Sequence, residues 1–371
     1  MQRRTFLATL AAGAATPRFP ALAAPSPATP VPAELREKLE KIRLKHKIPS
    51  LGAARFGIDG LLYQEVTGFR KAGGTTPVTS RDLWHLGSMT KAMTASLLAT
   101  YVDAGKLHWE DTLGDLIPKA CRDTQPDAKK ITVLQLLRHR SGLPANLPNW
   151  WLLPGAGQRG DLLRLAAPAD GKFPTPEPAP FFYSNIGYAI AGHIAEVLDG
   201  KPWETLIRDR LFKPLKIIAG QGPAGTEGKD DQPWPHNEKG EPFPTNGPPS
   251  DNPPSLGPAG RVHASMENYA RFAADHLRGA KNLPALLKPE TYQTLHRPAP
   301  DSGYACGWAT AERPWAGGNC LTHNGTNNAN YFVAWLAPEK AFGVLAATNQ
   351  GGPAAAAATD EACSLLISLA G

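Results

Sequence analysis

The spacing of apolar residues predicts a helix and a β-hairpin at the start of the folded chain. Over 33–46, apolar residues recur at helical spacing between charged residues, which is typical of an amphipathic helix. Two short apolar runs, 48–56 and 61–68, lie on either side of Asp59 and Gly60. An Asp-Gly pair between strand-like runs is a strong hairpin signal.

Helical spacing continues through the middle of the chain, and strand-like runs return near its end. Helices are predicted over 88–107, 132–139, 185–198, 203–211, 264–277 and 360–369, with a short apolar segment at 113–117. Strands are predicted over 304–310, 319–323, 330–336 and 343–348. This order predicts an α+β fold: an antiparallel sheet built from both chain ends, flanked by helices, with an inserted helical lobe.

The chain is long enough for one large domain with two lobes. A single domain is predicted over 33–371, with an α/β lobe formed by about 33–85 and 260–371 and a helical lobe over about 86–259. Within the helical lobe, 219–257 is dominated by prolines, glycines and charges. Such long irregular loops are uncommon unless functional, so this segment is either a surface insertion or a wall of a substrate cleft.

The N-terminal residues predict an export signal. Paired arginines, Arg3 and Arg4, precede an apolar run over 7–15 that is too short for a bilayer span of about 20 residues. This order is typical of a twin-arginine signal peptide, here 1–23. A Pro/Ala-rich lead-in follows over 24–32. We therefore expect a periplasmic or secreted bacterial protein without a membrane span after signal removal; the alternative is a basic N-terminus packed on the body.

Composition narrows the candidate functions. The net charge of +6 on 371 residues is scattered, and no basic run alternates with aromatic residues, so nucleic-acid binding is not favoured. No CxxC, HxH or HExxH spacing occurs, which argues against a metal site or a metallohydrolase. No cofactor is predicted, and the oligomeric state stays open. Cys306 and Cys320 flank a turn and could form a disulfide; four buried thiols are the alternative.

Ser88 and Lys91 form the first candidate chemical pair. At the start of a helix, residues three apart share a face, so the lysine can lie beside the serine hydroxyl. A serine is a weak nucleophile unless a neighbouring base takes its proton, and a lysine does so only when desolvation or positive charge lowers its pKa. Alone, this spacing is more often a helix start than a catalytic pair.

Two later motifs strengthen the interpretation of Ser88 and Lys91 as a catalytic pair. Segment 83–91 is a strand-to-helix transition with glycine directly before Ser88; 182–185 is Phe-Tyr-Ser-Asn, and 323–326 is His-Asn-Gly-Thr. In this order they resemble the three signatures of the penicillin-recognising serine hydrolases. The resemblance, which covers about 33–370, is closest to the branch with class C β-lactamases, D-alanyl-D-alanine carboxypeptidases, D-aminopeptidases and related esterases.

The resemblance implies a β-lactamase/transpeptidase-like fold and a role for each motif residue. Ser88 would be the nucleophile, Lys91 would share or relay its proton, and Tyr183 would protonate the leaving group and later activate water. The backbone amides of Ser88 and Thr326 would form the oxyanion hole. The substrate-binding residues implied are Asn185, which would bind the substrate amide or the Lys91 ammonium, and His323, Asn324, Gly325 and Thr326.

His323 departs from the class C pattern, which has lysine at this place, whereas the peptidase and esterase branches often carry histidine. A neutral imidazole attracts a carboxylate less than an ammonium does, and an ordinary histidine gains its charge only below about pH 6.5. We expect structural roles for the other histidines singled out, which are His85, His139, His193 and His263.

The sequence thus predicts a hydrolase that acts on a small-molecule or peptide substrate, with an ester, amide or β-lactam bond cleaved through an acyl-enzyme on Ser88. Because neither the cleft shape nor the deacylation rate follows from motifs, the substrate stays open among β-lactams, D-amino-acid peptides and small esters. The alternative function is a non-catalytic peptidoglycan-binding protein that has kept the fold.

Overall fold

The computed structural model describes residues 30–153, 155–169, 179–246, 250–300 and 302–369. The predicted export signal and most of the lead-in lie outside these ranges. Within them, no helix combines the length and the apolar character that a bilayer crossing needs.

Strands cluster toward both ends of the described chain, and most of the helices lie between them. The helices are α1 (Leu35–His46), α2 (Thr90–Asp103), α3 (Leu113–Leu116), α4 (Val133–Leu137), α5 (Asp161–Ala166), α6 (Asn185–Asp199), α7 (Trp203–Ile207), α8 (Gly257–Gly260), α9 (Met266–Ala280), α10 (Pro289–His296) and α11 (Gly352–Ser368). The strands are β1 (Ser50–Gly57), β2 (Gly60–Gly68), β3 (Trp84–His85), β4 (Ala219–Gln221), β5 (Val262–Ala264), β6 (Ala309–Arg313), β7 (Gly318–Thr326), β8 (Tyr331–Ala337) and β9 (Phe342–Thr348).

The main sheet is built from both ends of the chain, as predicted. Its strand order is β2-β1-β9-β8-β7-β6, and every neighbouring pair is antiparallel. The N-terminal hairpin joins the C-terminal strands through β1 and β9, where Gly52 lies opposite Ala347. A second, three-stranded sheet has the order β3-β5-β4.

Alternation along the strands places a separate core on each face of the main sheet. In β8, Phe332, Ala334 and Leu336 join the large core that continues into the helices inserted in the chain. Val333 and Ala337 point the other way, into a smaller core with α1 and α11. Successive strand residues face opposite sides of a sheet, so a sheet covered on both faces shows long apolar runs, which the sequence of β9 has.

Helix α2 lies at the centre of the large core and carries the residue pair of interest at its start. Almost every side chain from Thr90 to Tyr101 is buried. A helix that is apolar all round is typical of a position enclosed by other elements. Lys91, in its first turn, is 0% exposed, although buried lysines are rare without a specific role.

The C-terminal region differs from the predictions in three elements. The strand predicted over 304–310 is wrong in position: Gly307 adopts φ 80° and closes a turn in which the Ala305 amide bonds the Trp308 carbonyl, so β6 begins only at Ala309. The last helix begins at Gly352 rather than at residue 360, and α10 was not predicted.

All four cysteines are buried thiols. Cys320 lies opposite Ala311 across the β6–β7 hairpin and belongs to the smaller core. Cys306 precedes β6 and belongs to the larger core. Of the two alternatives left open by the sequence, the structure has the four thiols, because the two residues lie in cores on opposite faces of the sheet.

Candidate active site

The serine of the first motif lies at a tightly packed turn between β3 and α2. Gly87 to Met89 form one turn of 3₁₀ helix, and Gly87 adopts φ 48°, a left-handed conformation that favours glycine. A Cβ on Gly87 would overlap the backbone amide of Thr326, and a Cβ on Gly325 would overlap the Leu86 carbonyl. Glycines at both positions therefore let the turn that carries Ser88 pack directly on β7.

This close approach brings two backbone amides to the same place. A Cβ built on Gly325 would lie 2.8 Å from the Ser88 nitrogen, while the next residue, Thr326, has its nitrogen against Gly87. The Ser88 hydroxyl is half-buried, at the edge of the cleft described below. The amides of Ser88 and Thr326, the donors expected for an oxyanion hole, therefore belong to adjoining backbone segments beside this hydroxyl.

The side-chain nitrogen of Lys91 has three hydrogen-bond partners. Its Nζ lies 2.9 Å from Ser88 Oγ, 2.7 Å from Asn185 Oδ1 and 2.8 Å from the Ala259 carbonyl oxygen. Desolvation by burial lowers the pKa of Lys91 well below its ordinary value of 10.5. In the described part of the chain no carboxylate forms an ion pair with it that would oppose this shift.

The three contacts fit an uncharged lysine. A carbonyl oxygen and an amide oxygen can only accept hydrogen bonds, so Asn185 and Ala259 take two N–H groups of Lys91. A neutral amine has two hydrogens and one lone pair. The lone pair is then left for the Ser88 hydroxyl, which both donates and accepts, and this is the arrangement that a base for Ser88 requires.

Asn185 is fixed at the start of α6. The preceding residue, Ser184, caps the helix by accepting from the Gly187 amide. The Asn185 side-chain amide donates from Nδ2 to Asn146 Oδ1 at 3.0 Å. Because its Nδ2 is engaged there, its Oδ1 faces Lys91. The sequence suggested either the substrate amide or Lys91 as the partner of Asn185, and the structure shows the contact with Lys91.

Tyr183 lies beside both members of the serine–lysine pair. It lines the same cleft as Ser88, and its ring centroid lies 4.8 Å from Lys91 Nζ. Burial raises the pKa of Tyr183 above its usual 10, and its interaction with the Ser88 side chain only partly opposes that shift. At neutral pH this side chain is therefore a phenol, able to donate a proton, rather than a phenolate.

His323 lies on β7 and is 7% exposed. Its Nδ1 lies 2.6 Å from the Asn324 carbonyl oxygen and its Nε2 lies 3.0 Å from the Tyr304 hydroxyl. Since a carbonyl only accepts, Nδ1 carries the proton and Nε2 accepts from Tyr304. Burial lowers the pKa of His323 to about 4, so this histidine gains its charge at a lower pH than an ordinary histidine does.

A cleft of about 570 Å³ opens beside Ser88. It continues past β7 onto the outer face of β7 and β8, where α11 forms its far wall. Its lining residues are Ser88, Tyr183, Tyr304, Ala309, Thr322, His323, Asn324, Thr326, Tyr331, Val333, Trp335, Ala356, Thr359 and Asp360. Asn324 donates to the Tyr331 hydroxyl at 2.8 Å, and Thr326 Oγ1 accepts from the Asn328 amide.

The edge of β7 is open beside Ser88. Strand β6 pairs with β7 only as far as Ala309 opposite Thr322, so among the described residues 323–326 has no strand partner on that side. An open strand edge offers backbone donors and acceptors to an extended peptide-like ligand. The third motif thus lies where such a ligand could run alongside Ser88.

His139 supports Tyr183, a role that sequence analysis missed. Its Nδ1 accepts from the Ser184 amide at 3.0 Å, and its ring centroid lies 4.2 Å from that of Tyr183 and 4.7 Å from that of Tyr304. The side chain is fully buried. The only sequence signal was its place in the segment 131–143, which the resemblance already included. Of the other histidines, His193 contacts Glu196 and His263 contacts the Gly222 carbonyl.

The long irregular loop over 219–257 reaches the turn that carries Ser88 from the side away from the cleft. Asp251, near its end, lies with Oδ1 2.9 Å from His85 Nε2 and Oδ2 3.3 Å from Arg261 Nε. His85 Nδ1 accepts from the Gly87 amide at 3.1 Å, and Asn327 donates to Asp251 Oδ1. Burial alone would raise the pKa of Asp251, but His85 and Arg261 hold it below its usual range.

Asp251 therefore links the two backbone segments that carry the candidate oxyanion donors, through His85 on one side and Asn327 on the other. We expect Asp251→Asn to reduce kcat about tenfold with a smaller change in KM, because the amide weakens both links without entering the cleft. Stopped-flow or steady-state kinetics on any substrate that acylates Ser88 measures this. Removing one partner of a buried charge pair also destabilises a fold, by about 3 kcal/mol.

A matched variant separates positioning from lost stability. Asp275 is another buried acid, bonded to the Tyr292 hydroxyl and the Leu286 amide, and it does not line the cleft. Asp275→Asn should lower the melting temperature but leave kcat per folded molecule unchanged. Equal kcat losses in both variants would contradict the positioning role of Asp251.

Comparison with known proteins places the chain in one protein family. A family model described as Beta-lactamase matches residues 32–366. Penicillin-binding protein 4 of Amycolatopsis lactamdurans is 30% identical over 364 residues, a match that covers 91% of this chain and 90% of that protein.

Solved structures agree in fold. The chain is similar to SurE, with a TM-score of 0.73 and 21% identity over 91% of this chain and 75% of that chain. It is also similar to a class C β-lactamase from Rhodobacter sphaeroides, with a TM-score of 0.72 and 19% identity over 90% of this chain and 99% of that chain. These matches confirm the predicted β-lactamase/transpeptidase-like fold.

Proposed function

The chain belongs to the β-lactamase family of serine hydrolases, and we propose that it cleaves its substrate through an acyl-enzyme on Ser88. The observation that carries this proposal is the Lys91 side chain, fully buried, 2.9 Å from Ser88 Oγ, with two further acceptors that occupy its remaining hydrogens. A non-catalytic binding protein would have no use for a desolvated lysine kept beside a serine.

In the acylation step Lys91 takes the proton of Ser88 as Oγ attacks the substrate carbonyl carbon. Negative charge develops on the carbonyl oxygen, and the backbone amides of Ser88 and Thr326 stabilise it. Tyr183, which is protonated because burial raises its pKa and which lines the cleft with Ser88, supplies a proton to the leaving group. The bond between the acyl carbon and the leaving group breaks, and the acyl group stays on Ser88.

In the deacylation step water attacks the same carbon from the cleft. The proton lost by water passes to the Tyr183 oxygen, which gave its own proton to the leaving group, and the Ser88 oxygen takes back its proton from Lys91. Asn185 keeps the Lys91 amine oriented throughout, since its Oδ1 accepts from Nζ. The cycle returns the site to its starting protonation state without a metal ion or cofactor in any step.

The substrate class proposed is an ester, an amide of the D-amino-acid peptide type, or a β-lactam. The relative from Amycolatopsis lactamdurans, named a penicillin-binding protein, supports β-lactams as acylating agents. The open edge of β7 supports a peptide-like substrate. We also propose that the single catalytic domain, 33–371, is exported to the periplasm or beyond by the signal over 1–23.

Covalent labelling tests the proposal. We expect a fluorophosphonate or a fluorescent penicillin to add one adduct to the native protein, on the peptide that contains Ser88. Turnover of a chromogenic cephalosporin, a short-chain p-nitrophenyl ester and a D-Ala-D-Ala peptide then ranks the substrate classes. The absence of any adduct in intact-protein mass spectrometry, with the protein shown to be folded, would contradict the proposal.

A further inference from the structure

The cleft contains no basic side chain among its described lining residues. Neither lysine nor arginine is among the described residues that line it. Lys91 is buried behind Ser88, with all three of its contacts inside the protein. A substrate carboxylate placed in this cleft would therefore lose water without gaining a cation to pair with, which is unfavourable.

His323 does not supply the missing cation. Its Nδ1 donates to the Asn324 carbonyl, and its Nε2 accepts from Tyr304. Because both ring nitrogens are engaged within the protein, the imidazole has no donor to offer a substrate carboxylate.

The far wall of the cleft carries an acidic group. Asp360, on α11, lines the cleft and is exposed. Within the described chain no ion pair or hydrogen bond is formed by its carboxylate. The adjacent acid on the same helix, Glu361, is different: it pairs with Lys45 at 2.8 Å and with His46 at 2.7 Å. The one acid of this pair that faces the cleft is thus the one without a partner.

A basic group beside one of the lining residues lies outside the cleft. Arg313, at the end of β6, has its guanidinium carbon 5.5 Å from the ring centroid of Trp335 and donates to the Glu312 carbonyl. It covers the outer part of a lining residue but does not itself line the cavity. Its charge would favour an anionic group only at the outer rim.

We propose that this cleft selects substrates that have no carboxylate beside the scissile bond and that carry an ammonium group placed against Asp360, as a peptide or amino ester with a free amine would. The inference rests on the proposed acyl-enzyme at Ser88. A single exposed carboxylate changes affinity for a cation by a factor on the order of ten at low ionic strength, and less in high salt.

The test compares three fluorophosphonate probes of equal length whose far ends are an ammonium, a methyl and a carboxylate group. The second-order rate constant for adduct formation on Ser88 is measured for each, since it does not depend on deacylation. We expect the native protein to react about tenfold faster with the ammonium probe than with the carboxylate probe. Asp360→Asn should reduce this ratio to about two, and Asp360→Lys should reverse it.

Glu361→Gln is the matched control, because it removes the neighbouring acid of the same helix without changing the cleft. It should keep the native ratio. An equal reactivity of the native protein with all three probes, a preference for the carboxylate probe, or an unchanged ratio in Asp360→Asn would each overturn the inference. If no probe adds to Ser88, the proposed function itself fails, a result distinguishable from labelling without charge preference.

Discussion

Replacing Ser88 with alanine should lower kcat/KM by about 10⁴-fold or more and abolish covalent labelling, with little change in melting temperature. Nucleophile removal in a catalytic unit typically leaves only the rate enhancement due to binding and the oxyanion hole. The Ser88 hydroxyl is half-buried at the cleft edge, so its loss creates no large cavity. Initial rates with the best substrate of the panel, together with intact-protein mass spectrometry, measure both effects.

Ser96 provides the control on the same helix. It is buried, it donates to the Ala92 carbonyl and contacts His276, and it does not line the cleft. Ser96→Ala should keep kcat/KM within about twofold of the native value. Hydrolysis that survives in Ser88→Ala at more than about 1% of the native rate would mean that another residue is the nucleophile.

The residues of the candidate site were easier to predict from the sequence than the exact limits of the strands and helices. Ser88 and Lys91 are close in sequence, so helical geometry alone brings them to one face, and the resemblance to a known family added Tyr183, Asn185 and His323. The β1–β2 hairpin was predictable because Asp59-Gly60 marks its turn. The limits of β6 and α11 were not, since Gly307 and an alanine-rich segment give no clear signal of where pairing or helix begins.

The contacts that hold the site residues in place could not be predicted from the sequence, for a different reason. The Ala259 carbonyl, which fixes the Lys91 amine, has no side-chain signature at all. The link from Asp251 to His85 joins an irregular loop to a strand 166 residues earlier in the chain, and only the folded structure shows that they meet. The same holds for His323, whose low pKa follows from burial rather than from its residue type.

Replacing Lys91 with methionine should lower kcat by about 10³-fold or more while leaving the fold intact, because Ser88 then has no base. Arginine at this position tests whether the lysine acts as a base or through a positive charge. A guanidinium carries a permanent positive charge and is not deprotonated in proteins, so Lys91→Arg should be as inactive as Lys91→Met. Circular dichroism and melting temperature confirm that each variant is folded before rates are compared.

The pH dependence of the rate shows whether the neutral or the charged form of Lys91 is active. Burial lowers the pKa of Lys91, so the neutral, active form is present at a pH well below 10.5, and kcat/KM should rise as pH increases through that lowered pKa. In Lys91→Ala this rising limb should vanish, and added small primary amines should restore part of the rate by taking the place of the side chain. Activity of Lys91→Arg within about tenfold of the native rate would show that the lysine acts by its charge, and the base mechanism would be wrong.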